Sequence, residues 1–188
     1  MIPSADNLSG SGQRHRGSSK AGKTAYLGLC LALALICSYV EVLIPFPIGI
    51  PGVKLGLTNV VIVGILYLSG WRDAAMVSLA RVLLAGFFFG NLYSILYSLA
   101  GAFLSLIVMV MIKNTGKLHL ISVSAAGGIA HNVGQFLVAA LVVDNYRILY
   151  YLPVLFLVGM ATGVLIGVAA TGILKRLPSV IRQIGNGL

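Results

Sequence analysis

The chain has 188 residues, of which 59% are hydrophobic and only 9% are charged, whereas soluble domains carry about 25% charged residues. This composition excludes a water-soluble globular fold and predicts an all-α integral membrane protein, because lipid leaves the edges of open sheets without hydrogen-bond partners. The formal net charge of +9 does not indicate nucleic-acid binding, since the basic residues lie at the ends of apolar stretches, where membrane topology and anionic lipid account for them.

Residues 1–22 are rich in serine and glycine and have no apolar face, which predicts a disordered cytoplasmic arm. The apolar run after it is too long for a signal peptide. Residues 17–24 match the GxxxxGK[ST] phosphate-loop pattern, but a phosphate loop joins a strand to a helix, whereas this stretch leads from a polar arm into an apolar span. We therefore predict neither ATP binding nor any other cofactor for this chain.

Six apolar stretches follow the arm, and each is read as a transmembrane helix, which needs roughly 20 mostly apolar residues. The predicted spans cover residues 24–44, 55–70, 73–90, 91–112, 121–143 and 148–174. Prolines and glycines make residues 45–53 a stiff, non-helical loop. The chain is thus divided into the arm, a six-helix membrane domain at 23–175 and a short basic cytoplasmic tail at 176–188.

The basic residues indicate the orientation of these spans. With the N terminus inside, the cytoplasmic segments hold ten lysines and arginines, whereas the outer loops hold only Lys54 and Arg147. Because cytoplasmic loops carry the excess of Lys and Arg, both termini are predicted to be cytoplasmic, in a multi-pass protein of a bacterial-type cell membrane whose first partner is the lipid bilayer.

Two helices carry faces of small residues, which let another helix approach closely. In the last span Gly159, Gly163, Gly167 and Thr171 follow one another at four-residue spacing, and packing within the chain is favoured there over a partner helix. In the first span a looser small face lies near the cytoplasmic end, where docking on a partner is favoured. Its members are Ala21, Ala25, Gly28 and Ala32.

Polar side chains within the predicted spans or at their outer ends form the candidate ligand-binding site. An ionisable group near the middle of a bilayer costs roughly 2.5–3.5 kcal/mol on insertion scales and tends to mark a site or a pathway. Arg81 lies near the middle of the third span, and His131 and Gln135 share a face of the fifth with Ser124 and Gly128. The candidate residues are Glu41, Lys54, Asn59, Arg81, Asn91, His131, Asn132 and Gln135.

The alternative is that these side chains only bond one another across helices, for instance Glu41 with Arg81. As a set they are better explained by a small-molecule pocket, since converging polar groups in apolar surroundings are what such a pocket requires. The basic groups outnumber Glu41, which favours an anionic group on the ligand. His131 has no second His or Cys near it in the sequence, so no metal site is predicted.

Several motifs together resemble the Gx transporter family, which is also labelled heptaprenyl diphosphate synthase component I. The specific pieces are Lys54-Leu55-Gly56-Leu57-Thr58-Asn59 and His131-Asn132-Val133-Gly134-Gln135. Weaker pieces are Ser38-Tyr39-Val40-Glu41, Ser98-Leu99-Ala100-Gly101 and Tyr150-Tyr151-Leu152-Pro153-Val154, together with Arg81. The resemblance runs from about Lys23 to Lys175.

That family is similar to the substrate-binding S components of energy-coupling-factor vitamin transporters. The resemblance implies a six-helix fold with cytoplasmic termini and a pocket for one vitamin- or cofactor-like molecule. It also implies that the first helix docks on a separate energy-coupling membrane protein driven by separate ATPases. Substrate-binding transport is therefore the first functional expectation.

The synthase label supports a second expectation, a membrane accessory subunit in prenyl or quinone metabolism. The chain itself is not expected to be an enzyme, and no catalytic residue is predicted. Prenyl chain elongation needs clustered carboxylates to hold Mg²⁺ on the diphosphate, whereas this sequence has four scattered acids, Asp6, Glu41, Asp73 and Asp144. A third class, a structural partner in a redox or assembly complex without a ligand of its own, is the least favoured.

Overall fold

The computed structural model describes the backbone of residues 6–43, 56–143, 150 and 152–177, with side chains from residue 21 onward except that of Val143. Within these ranges the secondary structure is helical, with no strand. The helices are α1 (Asp6–Leu43), α2 (Leu57–Leu68), α3 (Trp71–Phe89), α4 (Leu92–Asn114), α5 (Leu120–Val143) and α6 (Leu152–Arg176). The predicted loop at 45–53, together with Lys54, Asp144 and Arg147, lies outside the described residues.

Four of these helices are long and apolar enough to cross a membrane. They are Ala21–Leu43 of α1, Leu92–Asn114, Leu120–Val142 and Leu152–Arg176. α2, with 12 residues, is about 18 Å long and falls short of the roughly 30 Å hydrocarbon layer. α3 has 19 residues but includes Arg72, Asp73 and Arg81. The all-helical prediction is confirmed, and the structure supports four of the six predicted spans by length and composition.

α1 extends further toward the N terminus than the predicted span. The helix begins at Asp6 and thus takes in most of the segment predicted as a disordered arm, of which only the side chains from Ala21 onward are described. Beyond Ala21 the helix buries one stripe, including Ala34 and Ser38, and leaves Leu29 and Ile36 exposed. α1 therefore packs against its neighbours along one side only.

A sharp turn separates α2 from α3. Gly70 has a φ of 94°, in a region that residues with a Cβ rarely adopt, and its N–H bonds the Ile65 carbonyl 3.2 Å away. Lys113, in the last turn of α4, donates a hydrogen bond to the Leu66 carbonyl and lies over the Tyr67 ring at 4.9 Å. The end of α2 is therefore held from α4, and α3 starts in a new direction.

α5 is the central helix and packs most extensively against α4 and α6. A Cβ built on Gly163 would lie 2.6 Å from the Ser124 carbonyl oxygen, and one on Gly167 would lie 2.7 Å from the Cα of Ile121. A Cβ built on Gly128 of α5 would likewise lie too close to the Gly159 carbonyl oxygen. The predicted packing of the small-residue face of α6 within the chain is thus confirmed, and it draws α6 close to α5.

Candidate functional site

A small polar cavity lies between the helices, with a volume of about 30 Å³. This is room for about two or three water molecules, since a single water needs roughly 10–15 Å³ on this measure. All six helices, together with the residue before α2, contribute to its wall. The lining residues are Glu41, Gly56, Thr58, Asn59, Arg81, Ser98, Gly128, His131, Asn132, Gln135, Thr162 and Ile166.

Arg81 is the central cation of this cavity. Its side chain is only 9% exposed, and its Nε is buried without a hydrogen-bond partner among the described residues. The carboxylate of Glu41 acts on it electrostatically. Because an isolated buried charge is costly in an apolar medium, the pairing of α1 with α3 here offsets part of the cost of placing a guanidinium inside the helix bundle.

A second polar cavity of about 40 Å³ adjoins the first and shares Glu41, Arg81 and Ser98 with it. Its wall continues along α3 and the start of α4, through Gly86, Phe89 and Ser94. Glu41 and Arg81 therefore stand between two small polar spaces, and the second of these leads toward the turn between α3 and α4.

Close crossing of α4 and α5 positions the polar side chains of α5. A Cβ on Gly101 would lie 2.9 Å from both Gln135 Cγ and the His131 carbonyl oxygen, so the glycine lets these two residues fit beside α4. Toward α6, Asn132 Nδ2 donates to the Leu155 carbonyl at 2.9 Å and Ser124 Oγ donates to the Gly163 carbonyl at 2.8 Å. These bonds fix the rotation of α5 against α6.

The start of α2 is joined to α1 beside the cavity. The hydroxyls of Ser38 and Thr58 lie 3.0 Å apart in a buried hydrogen bond, next to Asn59 in the wall. Gly56 precedes α2 with a φ of 75°, and a Cβ there would lie 2.9 Å from Ile166 of α6. A glycine is therefore required where the chain enters α2 against α6.

Six of the eight candidate ligand residues line this cavity: Glu41, Asn59, Arg81, His131, Asn132 and Gln135. Asn91 is elsewhere: it is exposed and caps α4, where its Oδ1 accepts from the Ser94 N–H at 2.8 Å. Lys54 lies outside the described residues. The structure thus brings together the candidates from the spans and assigns Asn91 an ordinary capping geometry.

The cavity also includes polar residues that the sequence analysis did not select, namely Thr58, Ser98 and Thr162. Thr162 Oγ1 donates to the Val158 carbonyl one turn earlier at 2.9 Å. A hydroxyl that bonds its own helix costs little in lipid, so it gives a weak sequence signal. Thr58 and Ser98 could have been selected from the sequence only because they lie within motifs that resemble the Gx transporter family.

The four small residues predicted to dock a partner, Ala21, Ala25, Gly28 and Ala32, are all exposed. A Cβ on Gly28 would meet no heavy atom within 4 Å. This face of α1 is therefore not used for packing within the described part of the chain.

The chemistry that the site offers is hydrogen bonding and charge pairing. One guanidinium, one carboxylate, an imidazole and three amides surround the space. No group of three or more His, Cys, Asp or Glu residues close enough to hold a metal ion occurs among the described residues. Pockets for drug-sized molecules measure roughly 300–1,000 Å³, so in this conformation the cavity fits a small polar group or water.

Comparison with known proteins gives one family. Its description is heptaprenyl diphosphate synthase component I, and it matches residues 30–173, which is more than half of the chain and includes every residue of the cavity. Searches of curated proteins and of solved structures find no match. The chain therefore belongs to the heptaprenyl diphosphate synthase component I family.

Proposed function

We propose that this chain is a non-catalytic membrane subunit that works with a separate prenyl diphosphate synthase. The observation that carries the proposal is the family match over residues 30–173, whose name describes one component of a synthase. A prenyl product becomes more apolar as its chain grows and therefore leaves water for the membrane. A membrane subunit beside a soluble catalytic chain is suited to such a product.

The distribution of acids supports a catalyst on another chain. The four acids are Asp6, Glu41, Asp73 and Asp144; Asp73 is engaged by Lys23 at 2.9 Å and Glu41 lies beside Arg81. Mg²⁺ on a diphosphate is held by carboxylates gathered at one site, and neither of these two acids is placed for that. The ionisation chemistry of chain elongation is therefore assigned to the partner.

The proposal includes a topology. The six helices lie in a bacterial-type cell membrane with both termini in the cytoplasm, where the basic residues are concentrated. α2 and α3 then form one re-entrant or tilted pair in the bundle, in which Asp73 and Arg81 of α3 face protein rather than lipid. The synthase would meet the subunit at the cytoplasmic face.

The experiment is affinity purification of the tagged chain from mild detergent, with mass spectrometry of the bound proteins and an assay for prenyl diphosphate synthase. Recovery of a synthase with the wild-type chain is expected. Scrambling the tail at residues 178–188 should abolish recovery of the synthase. Gly172→Ala, at an exposed position with open space around it, should not. These two results together would indicate that the synthase binds at the cytoplasmic end. Recovery of ATPases without a synthase would contradict the proposal.

A second function is favoured by the polar cavity itself. Eight polar side chains from five helices line the cavity together with Arg81. This arrangement suits the binding of a small molecule, as in a transport subunit that works with an energy-coupling membrane protein and ATPases. Because the cavity measures about 30 Å³, a vitamin-sized molecule requires α1 or α3 to move outward. Mass spectrometry of small molecules that co-purify with the chain distinguishes this function, since a stoichiometric polar compound is expected only here.

A further inference from the structure

α2 begins in the middle of the bundle rather than at one of its ends. A Cβ on Gly56, the residue before this helix, would lie 2.9 Å from Ile166, which is near the middle of α6. The other end of α2 is held at the last turn of α4, where Lys113 donates to the Leu66 carbonyl. The 12 residues of α2 extend over about 18 Å and the 23 residues of α4 over about 35 Å. α2 therefore starts within the membrane rather than at its surface.

The N terminus of α2 faces the polar cavity. Gly56, Thr58 and Asn59, where the helix begins, all belong to the cavity wall. The first N–H groups of an α-helix have no acceptor within the helix, and the aligned peptide dipoles leave roughly +0.5 of an elementary charge at this end. Gly56 has no side chain to cap these groups, and the first turn has no acidic residue. The helix therefore directs a positive end, without an acid of its own, into the cavity.

Arg81 adds a full positive charge to the same cavity. Its side chain is buried, and its Nε–H finds no acceptor among the described residues. Glu41, the only acid among the described residues of the wall, acts on Arg81 electrostatically and offsets that charge. The positive end of α2 is then left over, so the cavity favours one further negative charge.

We propose that the N terminus of α2 and the guanidinium of Arg81 form a subsite for the carboxylate group of a small molecule. The inference goes beyond the synthase partnership and rests on the second function, ligand binding in the cavity. Helix N-terminal amides bind anions, and the planar fork of a guanidinium matches a carboxylate. A phosphate group is bulkier and carries a charge of about −1.5 to −2, which the nearby Glu41 disfavours. A singly charged carboxylate therefore suits the cavity of about 30 Å³ better.

The second cavity has room for the rest of such a molecule. It holds about 40 Å³ and shares Arg81 with the first cavity. Val82, Ala85 and Phe89 form an apolar part of its wall. A ligand whose carboxylate lies between Arg81 and α2 can place a short apolar body against these three side chains. The ligand class is thus a small monocarboxylate with a short apolar substituent.

Two substitutions separate the parts of the subsite. Asn59→Asp places a carboxylate in the first turn of α2, on the cavity wall, with almost no change in side-chain size. An acid there is favourable for the helix, so the variant should fold and supply the chain's own anion to the subsite. Arg81→Lys keeps the charge and removes the planar fork.

Each substitution has a matched control at an exposed position. Asn114→Asp makes the same exchange at the far end of α4. Arg72→Lys makes the same exchange on α3, the helix that carries Arg81. Neither control residue lines either polar cavity. A loss of binding that is common to a variant and its control would therefore come from outside the subsite.

The test uses the full chain in phosphatidylcholine nanodiscs, with carboxyl-labelled ¹³C-butyrate as the probe observed by NMR. We expect saturable binding by the wild-type chain. Asn59→Asp and Arg81→Lys should each weaken it by about tenfold or more, and the two controls should change it by less than about twofold. Butyl phosphate and butanol have the same apolar body without the carboxylate. Neither should displace the probe at equal concentration.

Three results would overturn the inference. They are the absence of saturable butyrate binding by the wild-type chain, wild-type affinity in Asn59→Asp, and displacement of the probe by butyl phosphate at equal concentration. Asn59→Asp decides the matter alone if thermal unfolding shows that Arg81→Lys does not fold. A co-purifying small molecule without a carboxylate would also contradict the subsite while leaving the second function intact. Recovery of a synthase tests the first function independently of all these results.

Discussion

The ammonium of Lys23 lies 2.9 Å from Oδ2 of Asp73, which ties α1 to the first turn of α3. The Asp73 side chain is 8% exposed and that of Lys23 31% exposed. The acid is therefore buried while its partner still reaches solvent. Asp73 also lies in the first turn of its helix, where a negative charge is favourable.

Replacement of Lys23 by methionine should destabilise the protein, because the Asp73 carboxylate stays buried without its cation. Breaking a buried pair costs about 3–5 kcal/mol, and the partial exposure of Lys23 reduces the expected loss to roughly 1–3 kcal/mol. Lys23→Met with Asp73→Asn should recover most of it. Thermal unfolding in detergent measures both, with Lys117→Met as an exposed control. A double variant as unstable as the single one would show that the pair is unimportant.

The crossing of α5 and α6 predicts a second stability difference. Gly163→Ala places a methyl group 2.6 Å from the Ser124 carbonyl oxygen, and the helices must separate, at a cost of about 1–3 kcal/mol. Gly172→Ala, on the same helix with open space around it, should be neutral or stabilising by up to about 1 kcal/mol. Equal melting temperatures for the two variants would contradict the close crossing.

Arg81 and Glu41 provide a test of the polar cavity. Arg81→Leu alone leaves the Glu41 carboxylate inside the bundle and should destabilise the protein by roughly 3–5 kcal/mol. Glu41→Gln with Arg81→Leu should fold and insert with near wild-type stability. If the cavity binds a ligand or supports the synthase, this folded double variant loses that activity. Full activity in the double variant would show that the pair has only a structural role.

The proposed topology is tested with cysteines introduced into a chain in which Cys30 and Cys37 are replaced by alanine. Lys117→Cys, between α4 and α5, should be shielded from membrane-impermeant maleimide in intact cells. Tyr150→Cys, which is 83% exposed before α6, should be labelled. The expectation follows from the excess of basic residues on the Lys117 side of the membrane. The opposite labelling pattern would show that the protein has the opposite orientation.

Six of the eight candidate residues chosen from the sequence line one cavity, and four of the six predicted spans are long and apolar enough to cross a membrane. Arg81 and His131 stand out in apolar helices because ionisable groups are costly there, and the structure places them in one cavity wall. Thr162 gave little signal because its hydroxyl bonds its own helix. Asn91 was selected as a polar residue at an outer turn, and an asparagine there can also cap the next helix, as Asn91 does for α4.

The span count depends on tertiary packing that hydropathy does not record. α2 is short because glycines with positive φ stand just beyond both of its ends, Gly56 and Gly70, and the apolar stretch predicted at 55–70 includes both. α3 carries charged residues whose burial depends on α1, through Lys23 and Glu41.

A non-catalytic synthase subunit should change the output of its enzyme in a reconstituted membrane. The purified chain in liposomes is combined with the prenyl diphosphate synthase proposed as its partner, and prenyl diphosphate products are separated by chain length. We expect no product from the chain alone. Long-chain product should form faster when both proteins are present than with the synthase and empty liposomes. Product from the chain alone, or no effect of the chain on rate and chain length, would contradict a non-catalytic synthase subunit.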